Sequence, residues 1–229
     1  MSEYRLIHGD CLEVIPTLDG VDDVITDPPY SEKVRQGGRT RNDNKFSGDN
    51  FVPFSIDFDT LKSRFDSAGL LCKKWFVATI DWRYGHLLEL DPPTGTNFVR
   101  AGIWVKTNSA PQFTGDRPAP GWEFVAIMHS KLTPLKWNGG GSRAVWTSAV
   151  AVNNGHPTPK PLKLIRQWVA DFTDPGDTVL DPFMGSGTTG VACMQLGRNF
   201  IGIDISSEYV AIAEKRIRAA AAQMILPGV

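Results

Sequence analysis

DPFMGSGTTG, residues Asp181 to Gly190, is the stretch on which the fold turns. Its second half, G-S-G-T-T-G, matches the glycine fingerprint of dinucleotide-binding sheets: a tight turn, a close approach of backbone to ligand, and a glycine that lets helix pack on strand. A nicotinamide oxidoreductase needs much more sheet after such a fingerprint. Only 39 residues follow Gly190, room for a helix, a strand and a helix, so the remaining strands must lie upstream.

Upstream, short β-rich runs alternate with helical patterns, as in a mostly parallel sheet covered on both faces. Seven strands are expected, at Tyr4 to His8, Asp23 to Thr26, Trp75 to Thr79, Arg100 to Lys106, Glu123 to His129, Thr178 to Leu180 and Asn199 to Ile203. Helices are expected at Asp10 to Leu18, Asp57 to Leu71, Tyr84 to Leu90, Lys160 to Phe172, Gly187 to Leu196 and Ser206 to Ala222. The fold class is thus α/β, a single doubly wound sheet in one domain over 1–229. With 229 residues, 41% hydrophobic and 21% charged, the chain is long enough and apolar enough for one such core. Its formal charge of -1 confines any nucleic-acid footprint to loops. Cys11, Cys72 and Cys193 are widely spaced and read as core residues of a reduced protein with neither zinc site nor disulfide framework. MSEYRLIHGD has no leader pattern and no run approaches a membrane span, so a soluble, cytoplasmic protein without a membrane partner is expected.

ITDPPY, Ile25 to Tyr30, ends a predicted strand, and in open α/β sheets ligands sit beyond the carboxyl ends of strands. Pro28 and Pro29 rigidify the turn, holding the Asp27 carboxylate and the Pro28 carbonyl as fixed acceptors. Tyr30 offers a flat face for a planar ring. Two acceptors beside a stacking platform suit an aromatic amine: hydrogen bonds from its NH2 draw the nitrogen toward tetrahedral geometry and free a lone pair otherwise delocalised into the ring. A plain proline turn with a satisfied Asp remains the alternative. Asp91-Pro92-Pro93-Thr94 is the internal control, since it follows HLLEL, lacks the aromatic residue and reads as a helix-ending turn.

Together with GDCLEVIPTL (Gly9 to Leu18), HPTPKP (His156 to Pro161) and FIGIDISSEYVAIAEKRI (Phe200 to Ile217), these motifs resemble the S-adenosylmethionine-dependent DNA amino-methyltransferases. Having D-P-P-Y ahead of the glycine loop resembles the family's beta group, whose Rossmann-like sheet is circularly permuted. The resemblance implies a methyl transfer to adenine N6, or alternatively cytosine N4, in a base flipped out of the duplex; adenine goes mostly with an aspartate at the first position of the tetrapeptide. It implies catalytic roles for Asp27, Pro28, Pro29 and Tyr30. The cofactor would be held by Asp181, Pro182, Phe183, Gly185, Ser186, Gly187, Thr188 and Thr189 at its methionine end, with His156, Thr158 and Lys160. Asp204 and Ile205 would meet the ribose, and Asp10 and Cys11 the adenine. Helix capping stays open for Asp10 and Asp204, and a solvent-exposed helix start for Lys160.

DNA contact has to come from three long stretches, about 31–50, 107–121 and 130–158. Lys33, Arg35, Arg39, Arg41, Lys136 and Arg143 are the candidate contacts, because basic residues on loops neutralise phosphates. A solvated surface with tryptophans covering the core is the alternative. These loops are short, so a brief target or a second subunit in a homodimer fits them; a cognate restriction nuclease is left open, as is the host, bacterial, archaeal or phage-infected. Two other classes compete. A nicotinamide enzyme leaves D-P-P-Y and HPTPKP idle, and a non-catalytic DNA binder leaves Asp27 and Tyr30 unexplained.

Overall fold

The computed structural model of the chain describes residues 2–29, 56–150 and 160–225. Eight strands form one sheet: β1 (Tyr4–His8), β2 (Asp23–Thr26), β3 (Trp75–Ile80), β4 (Thr96–Lys106), β5 (Trp122–Ser130), β6 (Val145–Ser148), β7 (Thr178–Asp181) and β8 (Asn199–Asp204). The helices are α1 (Cys11–Val14), α2 (Phe58–Leu71), α3 (Trp82–Leu90), α4 (Leu162–Phe172), α5 (Thr188–Leu196) and α6 (Ser207–Ile225), with a 3-10 turn at Ile15–Thr17. Strand order is β1-β8-β7-β2-β3-β5-β4-β6. Every neighbouring pair is parallel except β3/β5 and β4/β5, so β5 alone among the described strands runs against the rest.

The strand count corrects the expected seven. β6 lies within the stretch read as a contact loop, where V-W-T-S is too short and its flanks too polar to announce a strand. Its anchor is Trp146, buried beside Trp168 at a ring separation of 5.4 Å. Gly102 on β4 makes room for it: a Cβ there would stand 2.7 Å from the Trp146 ring.

Period-two alternation along the central strands divides the core between the two faces. Trp75 and Val77 of β3, Ile25 of β2 and Val179 of β7 join Trp168, Val191 and Ile217 from α4, α5 and α6. Phe76, Ala78 and Ile80, with Val24 and Leu180, join Ile15, Phe65 and Leu88 on the other face. Each such side chain withdrawn from water contributes about 1.5–3 kcal/mol, so both faces must be covered. Aspartates set the helix starts: Asp57 and Asp81 accept from the backbone N–H of Thr60 and Arg83 at 2.8 and 3.0 Å. No helix among the described residues is long and apolar enough to cross a membrane.

Candidate active site

Parallel strands deliver a row of carboxylates to one edge of the sheet. Asp204 ends β8, Asp181 ends β7, Asp27 follows β2, and Asp81 follows β3. Their surroundings differ, and with them what each can do.

Asp27 is partly exposed. Its Oδ1 accepts from Thr79 Oγ1 and from Lys160 Nζ, the latter at 2.8 Å. Register explains Thr79, since Thr26 pairs with Ala78 and the next residue along each strand follows suit. Pro28 is buried and Pro29 half-buried, so the turn is fixed by packing as well as by its rings. Lys160, expected on the cofactor's methionine segment, has its ammonium between Asp27 and Glu123, at 3.0 Å from Glu123 Oε2.

Asp181 is fully enclosed. Oδ1 accepts from Thr26 Oγ1 at 2.7 Å and from the Phe183 N–H at 3.1 Å, and Oδ2 from Thr189 Oγ1 at 2.8 Å. Burial pushes its carboxyl up to about 7 against those hydrogen bonds, and the nearby Asp27 charge adds to the rise. Asp181 and Thr189 therefore tie the glycine loop to the sheet.

The loop itself needs its glycines. Gly185 and Gly187 have φ of 49° and 77°, in the left-handed region, and a Cβ on Gly187 would lie 2.8 Å from Ala213 Cβ of α6. Asp204 spans the loop's mouth: Oδ2 accepts from the Gly185 N–H at 2.9 Å and Oδ1 from the Ser206 N–H at 2.8 Å. Burial raises its pKa while these two bonds and His8 oppose the rise. Each oxygen keeps a second lone pair, enough to accept from a vicinal diol. Ile205, the next residue, stands exposed, as does Leu12 on α1.

Arg216 is a residue that the sequence reading missed. From α6 its Nη1 donates to Ser186 O, to Ser186 Oγ at 2.7 Å and to Thr188 Oγ1 at 3.4 Å. Burial lowers its pKa. Ser186 and Thr188, expected at the cofactor, are buried and hydrogen-bonded to this arginine, which ties the loop to α6. The available signal is periodicity: Arg216 interrupts an otherwise apolar helix face that includes Ala213, Ile217 and Ala220.

Other expectations shift too. Asp10 caps α1, accepting from Leu12 N–H at 2.9 Å, and its second oxygen meets Arg64 at 3.4 Å. Cys11 is buried and its thiol is pushed up to about 11, so it packs the core. Pro182 is buried and Phe183 packs on the core beside Ile201. Lys136 belongs to the opposite edge of the sheet: its Nζ pairs with Asp174 at 2.7 Å while its carbonyl accepts from Trp75, at the start of β3. Arg143 precedes the amino end of β6. Neither faces the carboxylates, because the 130–144 connection returns along the far edge. Tyr30, Lys33, Arg35, Arg39, Arg41, His156 and Thr158 lie outside the described residues.

The edge thus combines a left-handed glycine loop, an acid with acceptor capacity to spare and a second acid held rigid after a neighbouring strand. Residues 21–215 match the N6_N4_Mtase family model, described as DNA methylase. The Type II methyltransferase M.HinfI of Haemophilus influenzae is 29% identical over 93% of this chain and 68% of its own length. M2.LlaDCHI, a Type II methyltransferase of Lactococcus lactis subsp. cremoris, is 29% identical over 94% and 90% respectively. Among solved structures, the M1.HpyAVI–SAM complex is similar with a TM-score of 0.70 at 29% identity, covering 93% of this chain and 99% of that one. The PvuII DNA methyltransferase (cytosine-N4-specific) has a TM-score of 0.72 over 98% and 93%, but at 18% identity the likeness is one of fold alone. With a family match across most of its length and relatives that span nearly all of it, the chain belongs to the N6/N4 DNA methylases, the S-adenosylmethionine-dependent DNA methyltransferases.

Proposed function

We propose that the chain methylates the N6 amine of adenine in DNA, in the cytoplasm, on a base turned out of the duplex. One observation carries the reading: Asp27, the first residue of D-P-P-Y, is held by Thr79 and Lys160 on the strand next to the glycine loop. Asp27 and the Pro28 carbonyl accept the two amine hydrogens, and the lone pair the nitrogen already carries is drawn out of conjugation with the ring and directed at the methyl donor. Acceptance by an ionised carboxylate is the stronger of the two bonds, and it strengthens as the nitrogen becomes cationic, so it favours the transition state over the ground state.

The donor, when bound, supplies an electrophilic methyl on a sulfonium. Gly185 and Gly187 let backbone approach its methionine end, Asp204 accepts the ribose hydroxyls, and Ile205 with Leu12 offers apolar surface to the adenine ring. Tyr30 stacks on the target base. His156 and Thr158 assist at the methionine end.

The DNA-facing rim is the same edge. Trp82, Phe113 and Trp122 are the exposed tryptophans and phenylalanines among the described residues, and all three lie there, at the start of α3, in the β4–β5 connection and at the start of β5. Arg83 stacks over Trp82 at 4.9 Å. Aromatic faces beside cations suit unpaired bases and phosphates, and Lys33, Arg35, Arg39 and Arg41 extend this charge beyond Tyr30. A second copy of the chain on the duplex and a cognate restriction nuclease complete the reading; sedimentation with and without DNA tests the former.

Incubating unmethylated DNA with the protein and S-adenosylmethionine, hydrolysing to nucleosides and running mass spectrometry is the test. N6-methyladenine is expected. N4-methylcytosine alone overturns the base and leaves the chemistry of Asp27 and Pro28 intact; DNA that stays unmethylated with folded protein overturns both.

A further inference from the structure

Nothing in the sequence singles out Glu123, yet it sits within a chain of alternating charges whose middle pair is largely buried. Its side chain and that of Lys160 are each 12% exposed. Glu123 Oε1 meets Lys106 Nζ at 2.5 Å and Oε2 meets Lys160 Nζ at 3.0 Å, and Lys160 continues to Asp27 Oδ1 at 2.8 Å. The sheet builds this arrangement. Trp104 and Glu123 are cross-strand partners on β4 and β5, and Lys106, two residues beyond Trp104, shares its face. Trp104 forms the floor, with the two ammonium groups 5.3 and 5.6 Å from its ring and its Nε1 donating to Ser148 Oγ at 2.8 Å. Lys106, Glu123, Lys160 and Asp27 alternate in sign and sum to zero.

This resolves a conflict in the site. Lys160 orients Asp27, but an uncompensated cation at that distance opposes a reaction in which the amine nitrogen itself becomes cationic. Glu123 takes up the other side of the ammonium. We propose that Glu123 is a positioning residue for methyl transfer: by sharing Lys160 with Asp27 it lets the ammonium orient that carboxylate without cancelling its charge toward the target amine. The inference rests on the reading of Asp27 as the amine acceptor.

The test uses the full chain, tritiated S-adenosylmethionine and unmethylated genomic DNA, with cofactor affinity from calorimetry and folding from thermal midpoints. Glu123→Gln is expected to lower kcat about tenfold with cofactor Kd within about twofold of wild type. Adding Lys160→Met removes the ammonium that would then rest on Asp27 uncompensated. Because that excess charge costs more than the lost orientation, kcat is expected to rise about threefold or more above Glu123→Gln alone, a gain that a merely structural role does not produce. Turnover of Glu123→Gln within about twofold of wild type, or a double variant no better than the single, overturns the proposal. Should Glu123→Gln fail to fold, Lys106→Met leaves Glu123 undivided on Lys160: kcat at or above wild type is expected, and a fall of about threefold or more overturns the proposal. Asp27→Asn run alongside separates the two levels. If it is active, the amine-acceptor reading falls; if it is dead beside an unimpaired Glu123→Gln, only the role of Glu123 falls.

Discussion

Asp27-Pro28-Pro29 and Asp91-Pro92-Pro93 share three letters and almost nothing else. Asp27 follows a buried central strand, its side chain is 32% exposed, and Thr79 and Lys160 fix one oxygen. Asp91 ends α3 at the opposite edge of the sheet, its side chain is 74% exposed, and it reaches Lys62 at 3.2 Å. In this turn the Pro93 carbonyl accepts from Thr96, from its N–H at 2.9 Å and its hydroxyl at 2.7 Å. A rigid tripeptide offers acceptors anywhere, but only a strand's carboxyl edge aims them into a cleft, and only neighbours on adjoining elements hold them there.

The severest way to break that contrast is Asp27→Ala. We expect kcat to fall by about a hundredfold or more while cofactor affinity stays within about threefold, since the interaction is made chiefly in the transition state. A folded variant that keeps more than about a tenth of its turnover would remove the distinction between the two turns.

Asp204→Ala sharpens the contrast along the same edge, because the partner proposed for this acid is the cofactor and not the target amine. Its loss should weaken S-adenosylmethionine binding by about tenfold to a hundredfold, as bonds to a carboxylate are worth about 1.5–3 kcal/mol each before water competes. Gly187→Val should do comparable damage by crowding Ala213. Calorimetry that finds unchanged affinity in folded Asp204→Ala would reduce Asp204 to a loop and helix anchor.

Asp181 gives a third environment, and its readout is pH. An ordinary Asp ionises near 3.8, whereas in the fold Asp181 keeps its proton up to about 7. Between those values the native state binds the extra proton, so the stability this group contributes is greatest below about pH 4 and declines until about pH 7. Asp181→Asn cannot follow that decline. Relative to wild type it should gain about 2–3 kcal/mol between pH 5 and pH 8 in denaturant titrations; a constant gap between the two proteins would mean that Asp181 is ionised throughout.

The smallest effect belongs to the control turn. Asp91→Ala should leave turnover within about twofold and cost less than about 1 kcal/mol, the usual worth of an exposed ion pair. A large loss of activity there would show that the tripeptide acts irrespective of its place in the sheet.

Much of this was legible in the chain. The position of G-S-G-T-T-G near the end required strands upstream, and β7 with its glycine loop does pair β2 on one side and β8 on the other. Strand positions were readable because central parallel strands are apolar on both faces, as in Val24 and Ile25. β6 was not, being four residues anchored by one tryptophan. Ser186, Thr188 and Thr189 lie in the glycine loop and the start of α5, where their hydroxyls turn inward to Arg216 and Asp181, a direction that spacing does not encode.

The sequence by itself determined the order of the motifs, the left-handed turns that demand glycine and the two acids at strand ends, because these depend on local backbone geometry and on period-two burial. The tertiary structure alone decided which groups share a charge. Lys160 meets Asp27 and Glu123, Arg216 meets Ser186, and Lys136 leaves for the far edge with Asp174. Such pairings join residues distant in the chain, and they form only where the sheet's register and the packing of α6 bring long side chains together.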